Sequence, residues 1–437
     1  MKKFIRTIRN IFAIEELRDR ILNTLGFLVI FRLGSFVVLP GVDPSKLTGS
    51  ASGILGLLDT FLGGAFSNAS IFGLGVMPYI SASIVLQLLT VAVPYFQKMQ
   101  KEGESGRKKI NQITRVLTIF ITIFQSSAYL AGTIPADAIV VNRTLFQFSS
   151  MVILTAGTIF VMWLGERITE KGIGNGISML IMIGIISRFP GALIAEASTK
   201  GMSGALLFII EIVALFFVVV GVVALTQAVR RIPVQYAKQV VGNRVYGGQR
   251  QYIPLKVNAA GVMPIIFAQS LMFLPALIAG LWADQSDIAS YIGSTFSNYL
   301  SWQYNLVFGI LIVLFTFFYT AITINPTQIA DDMKRNGGFI PGVKPGKQTS
   351  EYIDTILTKI TLPGSFFLAV VAILPAFATI AGVSGQFSQF YGGTSLLIMV
   401  GVILDTLQQI ESYLLMRHYE GLMKSGKIKG RSSVAVA

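Results

Sequence analysis

Ten apolar runs, separated by shorter polar segments, dominate the pattern of hydrophobic and polar positions along this chain. Each run approaches the ~20 residues that an α-helix needs to cross the ~30 Å hydrocarbon core of a bilayer. The pattern therefore predicts an all-α membrane protein with ten transmembrane helices. We place the spans at about residues 21–39, 76–93, 113–132, 149–165, 177–194, 205–225, 259–281, 306–324, 361–380 and 394–414.

The composition supports a membrane protein and narrows the possible chemistry. Of the 437 residues, 53% are hydrophobic and 13% are charged, and the mean hydropathy is +0.67. A soluble domain has about 25% charged residues, so lipid must be part of the solvent of this chain. Because the chain has no cysteine and one histidine, His418, disulfides, thiolate metal sites and histidine clusters are excluded. We expect no cofactor and no enzymatic activity.

The positive charge, +14 overall, is distributed unevenly between the polar segments. Alternate segments hold 29 of the 35 lysines and arginines, the other segments hold 3, and Arg32, Arg115 and Arg188 lie inside predicted spans. Nucleic-acid binding is the other common reason for such a charge. The alternation fits better the excess of basic residues that marks cytoplasmic loops. We therefore predict that both termini are cytoplasmic.

The ten spans divide into two halves of five. An odd number of spans in each half would give the halves opposite orientations in the membrane, which is a common source of pseudosymmetry. The predicted divisions are a cytoplasmic amphipathic segment at 1–20, an N-terminal half at 21–200, a C-terminal half at 201–414 with large cytoplasmic loops at 226–258 and 325–360, and a cytoplasmic tail at 415–437.

The two large loops contain basic residues and also patterns that predict secondary structure. The first alternates basic with β-branched or aromatic residues around Gly247-Gly248, as a short hairpin does. The second predicts a helix that ends at Gly337-Gly338, followed by a turn rich in proline and glycine. Solvated linkers remain the alternative interpretation, but linkers rarely need aromatic residues, so we favour docking surfaces.

The segment between the first two spans, residues 53–75, begins as a short apolar helix at 54–62 and breaks at Gly63-Gly64. This helix is too short to span a bilayer. An amphipathic helix lying on the outer surface is one interpretation. Because irregular backbone at membrane depth occurs only inside protein or beside water, the glycine break favours a re-entrant helix that folds back into a cavity.

Few polar residues interrupt the spans. Such residues face the bundle interior or a wet path, and for single residues we prefer the simpler interpretation of hydrogen bonds or ion pairs between helices. The residues concerned are Arg32, Gln87, Gln125, Glu211 and Asp405, with Glu166 and Glu411 nearer the helix ends.

Long blocks of sequence make the chain resemble the SecY family of protein-conducting channels. They are IFGLGVMPYISASIVLQLLTVAVP at 71–94, KEGESGRKKI at 101–110, WLGERITEKGIGNGIS at 163–178, PLKVNAAGVMP at 254–264, FFYTAITINPTQIADDMKRNGGFIPGVKPGKQT at 317–349 and GGTSLLIMVGVILDT at 392–406. The resemblance implies two five-helix halves around an hourglass pore, closed by a ring of apolar side chains and a short plug helix.

The resemblance also implies roles for particular residues. The pore ring would comprise Ile80, Ile84, Ile177, Ile181, Ile266 and Ile398. The plug, at about 53–64, would include Ile54, Leu55, Leu57, Leu58, Phe61 and Leu62, and the lateral gate would include Gln87 and Gln125. The docking surface for the SecA motor or the ribosome would include Arg230, Arg231, Lys238, Arg244, Arg250, Lys256, Lys334, Arg335, Lys344 and Lys347.

The function that the resemblance implies is that of a passive channel in the bacterial inner membrane, working with small SecE and SecG subunits. It would pass secretory polypeptides with signal sequences and release hydrophobic segments into the lipid, driven by SecA or the ribosome. Lys344 stands where the family commonly has arginine, and lysine lacks the bidentate pairing of arginine.

Two alternative functions have less support in the sequence. A secondary transporter also has broken helices and inverted halves, but it needs neither a plug nor two large basic loops. A membrane protease is suggested by Gly201-Met202-Ser203-Gly204, which resembles the serine motif of rhomboid-type proteases. Such a serine needs a histidine base, and the one histidine, His418, is predicted to lie after the last span.

Overall fold

In this computed structural model of the chain, the described residues are 14–47, 59, 62–201, 204–236, 239–241, 244–246, 250–269, 271–272, 291, 293, 295–296 and 298–424. The chain divides into two compact units. The first comprises Met1–Ala51, Leu58–Arg188 and Val402–Ala437, and the second comprises Ser52–Leu57 and Phe189–Gly401. The predicted halves, 21–200 and 201–414, remain a prediction.

Long helices build the first unit. They are α1 (Glu15–Gly34), α2 (Met77–Ala92), α3 (Pro94–Lys101), α4 (Glu104–Thr133), α5 (Arg143–Lys171) and α6 (Gly176–Lys200), of which α6 belongs to this unit as far as Arg188. Helix α2 packs against α4, α4 against α5, and α5 against α1.

Local chemistry sets where these helices begin and end. Pro94 opens α3, where its missing N–H costs nothing, and the chain bends by 102° between α2 and α3. The side chain of Asn142 accepts a hydrogen bond from the N–H of Thr144 and so caps α5. At the start of α6, a Cβ on Gly176 would overlap the carbonyl of Gly165, so only glycine lets α6 begin this close to α5.

The second unit combines helices with a small sheet. Its elements are α7 (Ala205–Gln227), β1 (Val229–Tyr236), β2 (Gln239–Val241), β3 (Arg244–Tyr246), β4 (Arg250–Lys256), α8 (Trp302–Thr323), α9 (Pro326–Arg335), β5 (Gly338–Phe339), α10 (Lys347–Ile380), α11 (Gly385–Ser388) and α12 (Gly393–Lys424), of which α12 leaves this unit after Gly401. Helices α8 and α10 pack against each other.

The strands form two antiparallel sheets. Strand order in the larger sheet is β4-β1-β5, with Ile232 opposite Ile253 and Gln235 opposite Phe339. Strands β2 and β3 pair separately. The first large loop therefore contains antiparallel strands, but β3 and β4, which flank Gly247-Gly248, pair with β2 and β1, so the short hairpin predicted around these glycines is not confirmed. Gly247-Gly248 lies outside the described residues. The helix predicted in the second loop is α9, and Gly337-Gly338 comes shortly after its last residue.

Among the described residues, seven helical stretches are long and apolar enough to span a membrane, and the bent pair of α2 and α3 qualifies if counted as one span. The seven comprise α4, α5, α6, α7, α10, α12 and the stretch Trp302–Arg335. Of the predicted span 259–281, residues 259–269 and 271–272 are described, and among these 263–269 and 271–272 are helical. The total of ten spans stays a prediction.

The first predicted span was wrong in its boundaries, and two helices extend beyond the predicted spans. Helix α1 covers Glu15–Gly34, not 21–39, because its first turns are charged and the chain leaves the helix at Ser35. Helix α10 begins at Lys347, well before the apolar run at 361–380, since Ile353 and Leu357 in its first turns are buried against the protein. Helix α12 continues to Lys424 and so enters the predicted tail. Residues 1–13 of the predicted amphipathic segment lie outside the described part.

Candidate functional site

Residues 62–76, here called the turn segment, connect the short predicted helix at 54–62 to α2. The turn segment is irregular, and three of its four glycines adopt left-handed conformations, with φ of 61° at Gly63, 93° at Gly64 and 51° at Gly75. A Cβ on Gly63 would lie 2.6 Å from Nη1 of Arg32 and 2.8 Å from Cα of Gly184. The backbone at Gly63-Gly64 is therefore not helical, in agreement with the predicted break, and the close packing at Gly63 requires glycine. Most of the predicted helix at 54–62 lies outside the described residues.

The turn segment is enclosed by protein. The N–H of Leu39 donates to the carbonyl of Ala69 at 2.8 Å, and the N–H of Ile71 donates to the carbonyl of Val37 at 2.9 Å. A Cβ on Gly157 of α5 would overlap the carbonyl of Ile71. The side chains of Ala65, Phe66, Ala69 and Phe72 are buried.

An aromatic stack adds to this enclosure and runs from α1 to α5. Its ring centroids are 6.0 Å apart for Phe31 and Phe72, 5.8 Å for Phe72 and Phe160, and 5.8 Å for Phe160 and Trp163. Irregular backbone held inside protein in this way favours the re-entrant interpretation over a helix on the outer surface. Of the predicted plug residues, Leu62 is buried, whereas Ile54, Leu55, Leu57, Leu58 and Phe61 lie outside the described residues.

Two arginines from apolar helices point at this region. Arg32 of α1 donates from Nη1 to the carbonyl of Gly63 at 3.1 Å, so the proposed helix-to-helix role of Arg32 becomes a helix-to-turn contact. Arg188 of α6 forms an ion pair with Asp59. Arg188 lies inside the predicted fifth span, and the structure places it inside α6, but sequence reasoning missed this pair because its partner is 129 residues away.

A second group of charges is buried in the second unit. Lys200, at the end of α6, forms ion pairs with Glu211 of α7 and, at 3.1 Å, with Glu196. The hydroxyl of Tyr391 donates to the backbone carbonyl of Glu211 at 2.7 Å. The interpretation of Glu211 as an intramolecular contact is therefore confirmed. Glu166 also pairs within the protein, with Arg115 of α4 at 2.8 Å.

The two large loops fold together rather than acting as linkers. One apolar core, here called the platform core, joins the sheet to α9 and the start of α10. Its buried members are Ile232, Val234, Leu255, Met333, Ile340, Ile353 and Leu357. The solvated-linker interpretation is therefore wrong, because both loops contribute side chains to one core.

Basic side chains project from the folded unit that the two large loops form together, here called the platform. Seven of the predicted docking residues are described and exposed, and they are Arg230, Arg231, Lys256, Lys334, Arg335, Lys344 and Lys347. Arg244 lies on β3 and Arg250 on β4, while Lys238 is outside the described residues. The hydroxyl of Thr349 donates to the carbonyl of Lys344 at 2.9 Å and fixes the turn that carries this lysine.

Comparisons with known proteins place the chain in a family. A family model described as SecY matches residues 70–407. The protein translocase subunit SecY of Streptomyces griseus is 46% identical over 430 residues, which cover 94% of this chain and 98% of the relative. The corresponding subunit of Halalkalibacterium halodurans is 45% identical over 435 residues, which cover 96% and 100%. The chain belongs to the SecY family.

Solved structures of similar channels share the fold. A structure described as that of a protein conducting channel gives a TM-score of 0.65 at 17% identity and covers 90% of this chain and 92% of that chain. Sec61 in the canine ribosome-channel complex from the endoplasmic reticulum gives a TM-score of 0.62 at 16% identity with the same coverage. The fold class expected from the sequence, an all-α membrane protein of the SecY type, is confirmed.

The SecY resemblance selects six ring isoleucines, and the structure places four of them in the first unit. Ile80 and Ile84 are one helical turn apart on α2, and Ile177 and Ile181 are one turn apart on α6, so each pair shares a helix face. Ile84 is buried at 7% exposure, and the other three are half-buried.

The remaining ring residues belong to the second unit. Ile266 lies in the helical stretch 263–269 and is half-buried, and Ile398 lies near the start of α12 at 7% exposure. The ring of six stays a prediction.

The two glutamines that the resemblance assigns to a lateral gate lie on helices that pack against each other. Gln87 is exposed on α2, and Gln125 is half-buried on α4. Their role in a gate stays a prediction. Among the described residues, no three histidine, cysteine, aspartate or glutamate side chains lie close enough together to hold a metal ion.

Proposed function

We propose that this chain is the pore-forming subunit of a bacterial protein translocase, a channel that passes secretory polypeptides across the inner membrane. The observation that carries the proposal is the similarity, over 94% of the chain, to a protein translocase subunit SecY. The channel has no chemistry of its own, and the driving energy comes from a partner.

The geometry of the turn segment favours the proposal that this chain is a channel over the proposal that it is a small-solute transporter. A transporter also has broken helices, but here the irregular segment comes after a short predicted helix and is packed between α1, α5 and α6. The plug at 53–64 would fill the pore at rest, and the six isoleucines would form an apolar neck. A narrow apolar neck empties of water and blocks ions, yet its side chains part for a peptide without breaking specific bonds.

The basic surface of the platform is evidence for the proposal that a large partner binds on the cytoplasmic side. Its exposed lysines and arginines complement an acidic or phosphate-rich surface, and charge complementarity of this kind steers association. The SecA ATPase and the ribosome are the partners we propose for it, with SecE and SecG as small accompanying subunits. Lateral release of hydrophobic segments into lipid would pass Gln87 and Gln125.

Transport in vesicles tests this function. The chain is reconstituted with SecE, and SecA, ATP and a secretory precursor are added outside, on the side of the platform. We expect the precursor to become protected from added protease. Loss of protection without ATP is the required control. Uptake of a small solute in place of the precursor would favour the transporter.

Charge reversal at the platform tests the docking surface separately. Replacement of Arg244 and Lys344 by glutamate should impair SecA-driven transport. Both residues lie in the platform loops, so the free energy of unfolding should change by less than about 0.5 kcal/mol. The matched control is Lys46→Glu, which reverses one charge on the opposite predicted side. Normal transport by the double variant would contradict the docking assignment.

A further inference from the structure

The turn segment is held by an unusual concentration of polar contacts for a region between apolar helices. Arg188 forms an ion pair with Asp59 and also donates from Nη2 to the hydroxyl of Ser67 at 3.2 Å. The other carboxylate oxygen of Asp59 accepts from the N–H of Ser67 at 2.9 Å. Arg188, Asp59 and Ser67 therefore form a closed triangle, here called the anchor triangle.

Two further contacts hold the backbone on either side. Arg32 donates to the carbonyl of Gly63, and the hydroxyl of Tyr129 on α4 donates to the carbonyl of Phe66 at 2.6 Å. All of these groups belong to the first unit. Three helices, α1, α4 and α6, thus each send one polar side chain to a stretch of five residues.

Burial makes the anchor triangle dependent on both charges. The side chain of Asp59 is 7% exposed, and that of Arg188 is 34% exposed. Removal of one partner from such a pair leaves a buried charge without compensation, which is far costlier than the loss of an exposed pair. Arg188 supplies the positive charge that balances the Asp59 carboxylate. The Asp59 side chain can therefore stay buried only while Arg188 is paired with it.

The geometry points to a charge latch: we propose that the Asp59–Arg188 pair anchors the turn segment to α6, and that this pair must break before the segment can leave its buried place. Arg188 and Asp59 are positioning residues in this scheme, since neither need touch the transported polypeptide. The consequence for transport rests on the proposed function, because only in a channel does release of the segment open a path.

The latch itself can be measured without transport. The chain has no cysteine, so Ala65→Cys places a single thiol in the turn segment, at a position with 0% exposure. The rate of modification of this thiol by a water-soluble maleimide, in purified protein, reports how often the segment leaves its place. Asp59→Asn and Arg188→Gln should each raise that rate at least about tenfold.

Three comparisons distinguish a latch from general loosening. If the two residues act as one pair, the double variant reacts no faster than the faster single variant, whereas independent effects would multiply. Arg188→Lys keeps the charge and should react more slowly than Arg188→Gln. Glu170→Gln, which removes a carboxylate from the exposed pair with Arg167, should leave the rate unchanged.

A second thiol position guards against misfolding. Ser150→Cys on α5 is also at 0% exposure in the first unit. It should stay protected in the Asp59→Asn background. Equal acceleration at position 150, an unchanged rate at position 65, multiplying effects in the double variant, or equal rates for the lysine and glutamine variants would each overturn the latch. Ion conductance of Asp59→Asn in planar bilayers then tests the link to the channel: faster labelling without added conductance would leave the latch standing and count against the proposed function.

Discussion

The close packing at Gly63 gives a prediction whose size can be worked out from the structure. Gly63→Ala must adopt φ near 61°, in the left-handed region, and its Cβ would meet Arg32 and the backbone of Gly184 below 3 Å. The left-handed conformation costs about 1–2 kcal/mol for a residue with a Cβ, and overpacking against backbone costs about 1–3 kcal/mol. We expect a loss of about 2–5 kcal/mol in the free energy of unfolding.

Thermal denaturation in detergent, followed by tryptophan fluorescence, measures this loss. A change of this size should lower the midpoint by about 2–5 °C in a chain of this length. Two controls separate the causes. Gly103→Ala has φ of 76° but no atom within 4 Å, so it should show the conformational cost alone, whereas Gly26→Ala in α1 meets neither problem. If Gly63→Ala denatures within about 1 °C of Gly26→Ala, the turn segment does not pack as described.

The other predictions concern the buried charges and the topology. Lys200→Met leaves Glu196 and Glu211 unpaired and should cost about 3–5 kcal/mol, whereas Lys347→Met, from the exposed pair with Glu351, should cost less than about 0.5 kcal/mol; equal midpoints in thermal denaturation would contradict this. Single cysteines treated with a membrane-impermeant reagent test the topology. Reagent added outside should reach positions 46 and 287 but not 107, 244 and 344, and labelling of Arg244→Cys from outside would refute the topology. Lys200 is also predicted to lie outside, but its side chain is buried in ion pairs, so position 200 is not used for labelling.

Local signals explain what the sequence predicted well. The break at Gly63-Gly64 and the helix stop at Gly337-Gly338 depend on glycine, whose effect on the backbone acts within a few residues. The antiparallel pairing in the first large loop arises from alternation along one short stretch. The fold class was predicted from hydropathy and was confirmed by comparison with solved channels.

Features that depend on distant partners were missed. Asp59 and Arg188 are 129 residues apart, and neither residue alone indicates the other. Strand β5 pairs with the end of β1 across about 100 residues, so the sequence did not show that both large loops share one core. The start of α1 was missed because its charged first turns conceal a helix from a hydropathy pattern. The pore ring rests on the SecY resemblance, since single isoleucines on apolar helices carry no signal of their own.

The pore ring offers the most direct test of the proposed channel. Replacement of Ile84 and Ile398 by asparagine would give water and ions polar partners at the proposed constriction, and each unpaired amide would loosen closed packing by about 1–3 kcal/mol at most. Single-channel conductance is recorded in a planar bilayer with SecE present and no precursor. We expect the unaltered channel to show no conductance and the double variant to conduct ions. A double variant as silent as the unaltered protein, or a larger leak from Arg32→Ala, would contradict the proposed apolar neck.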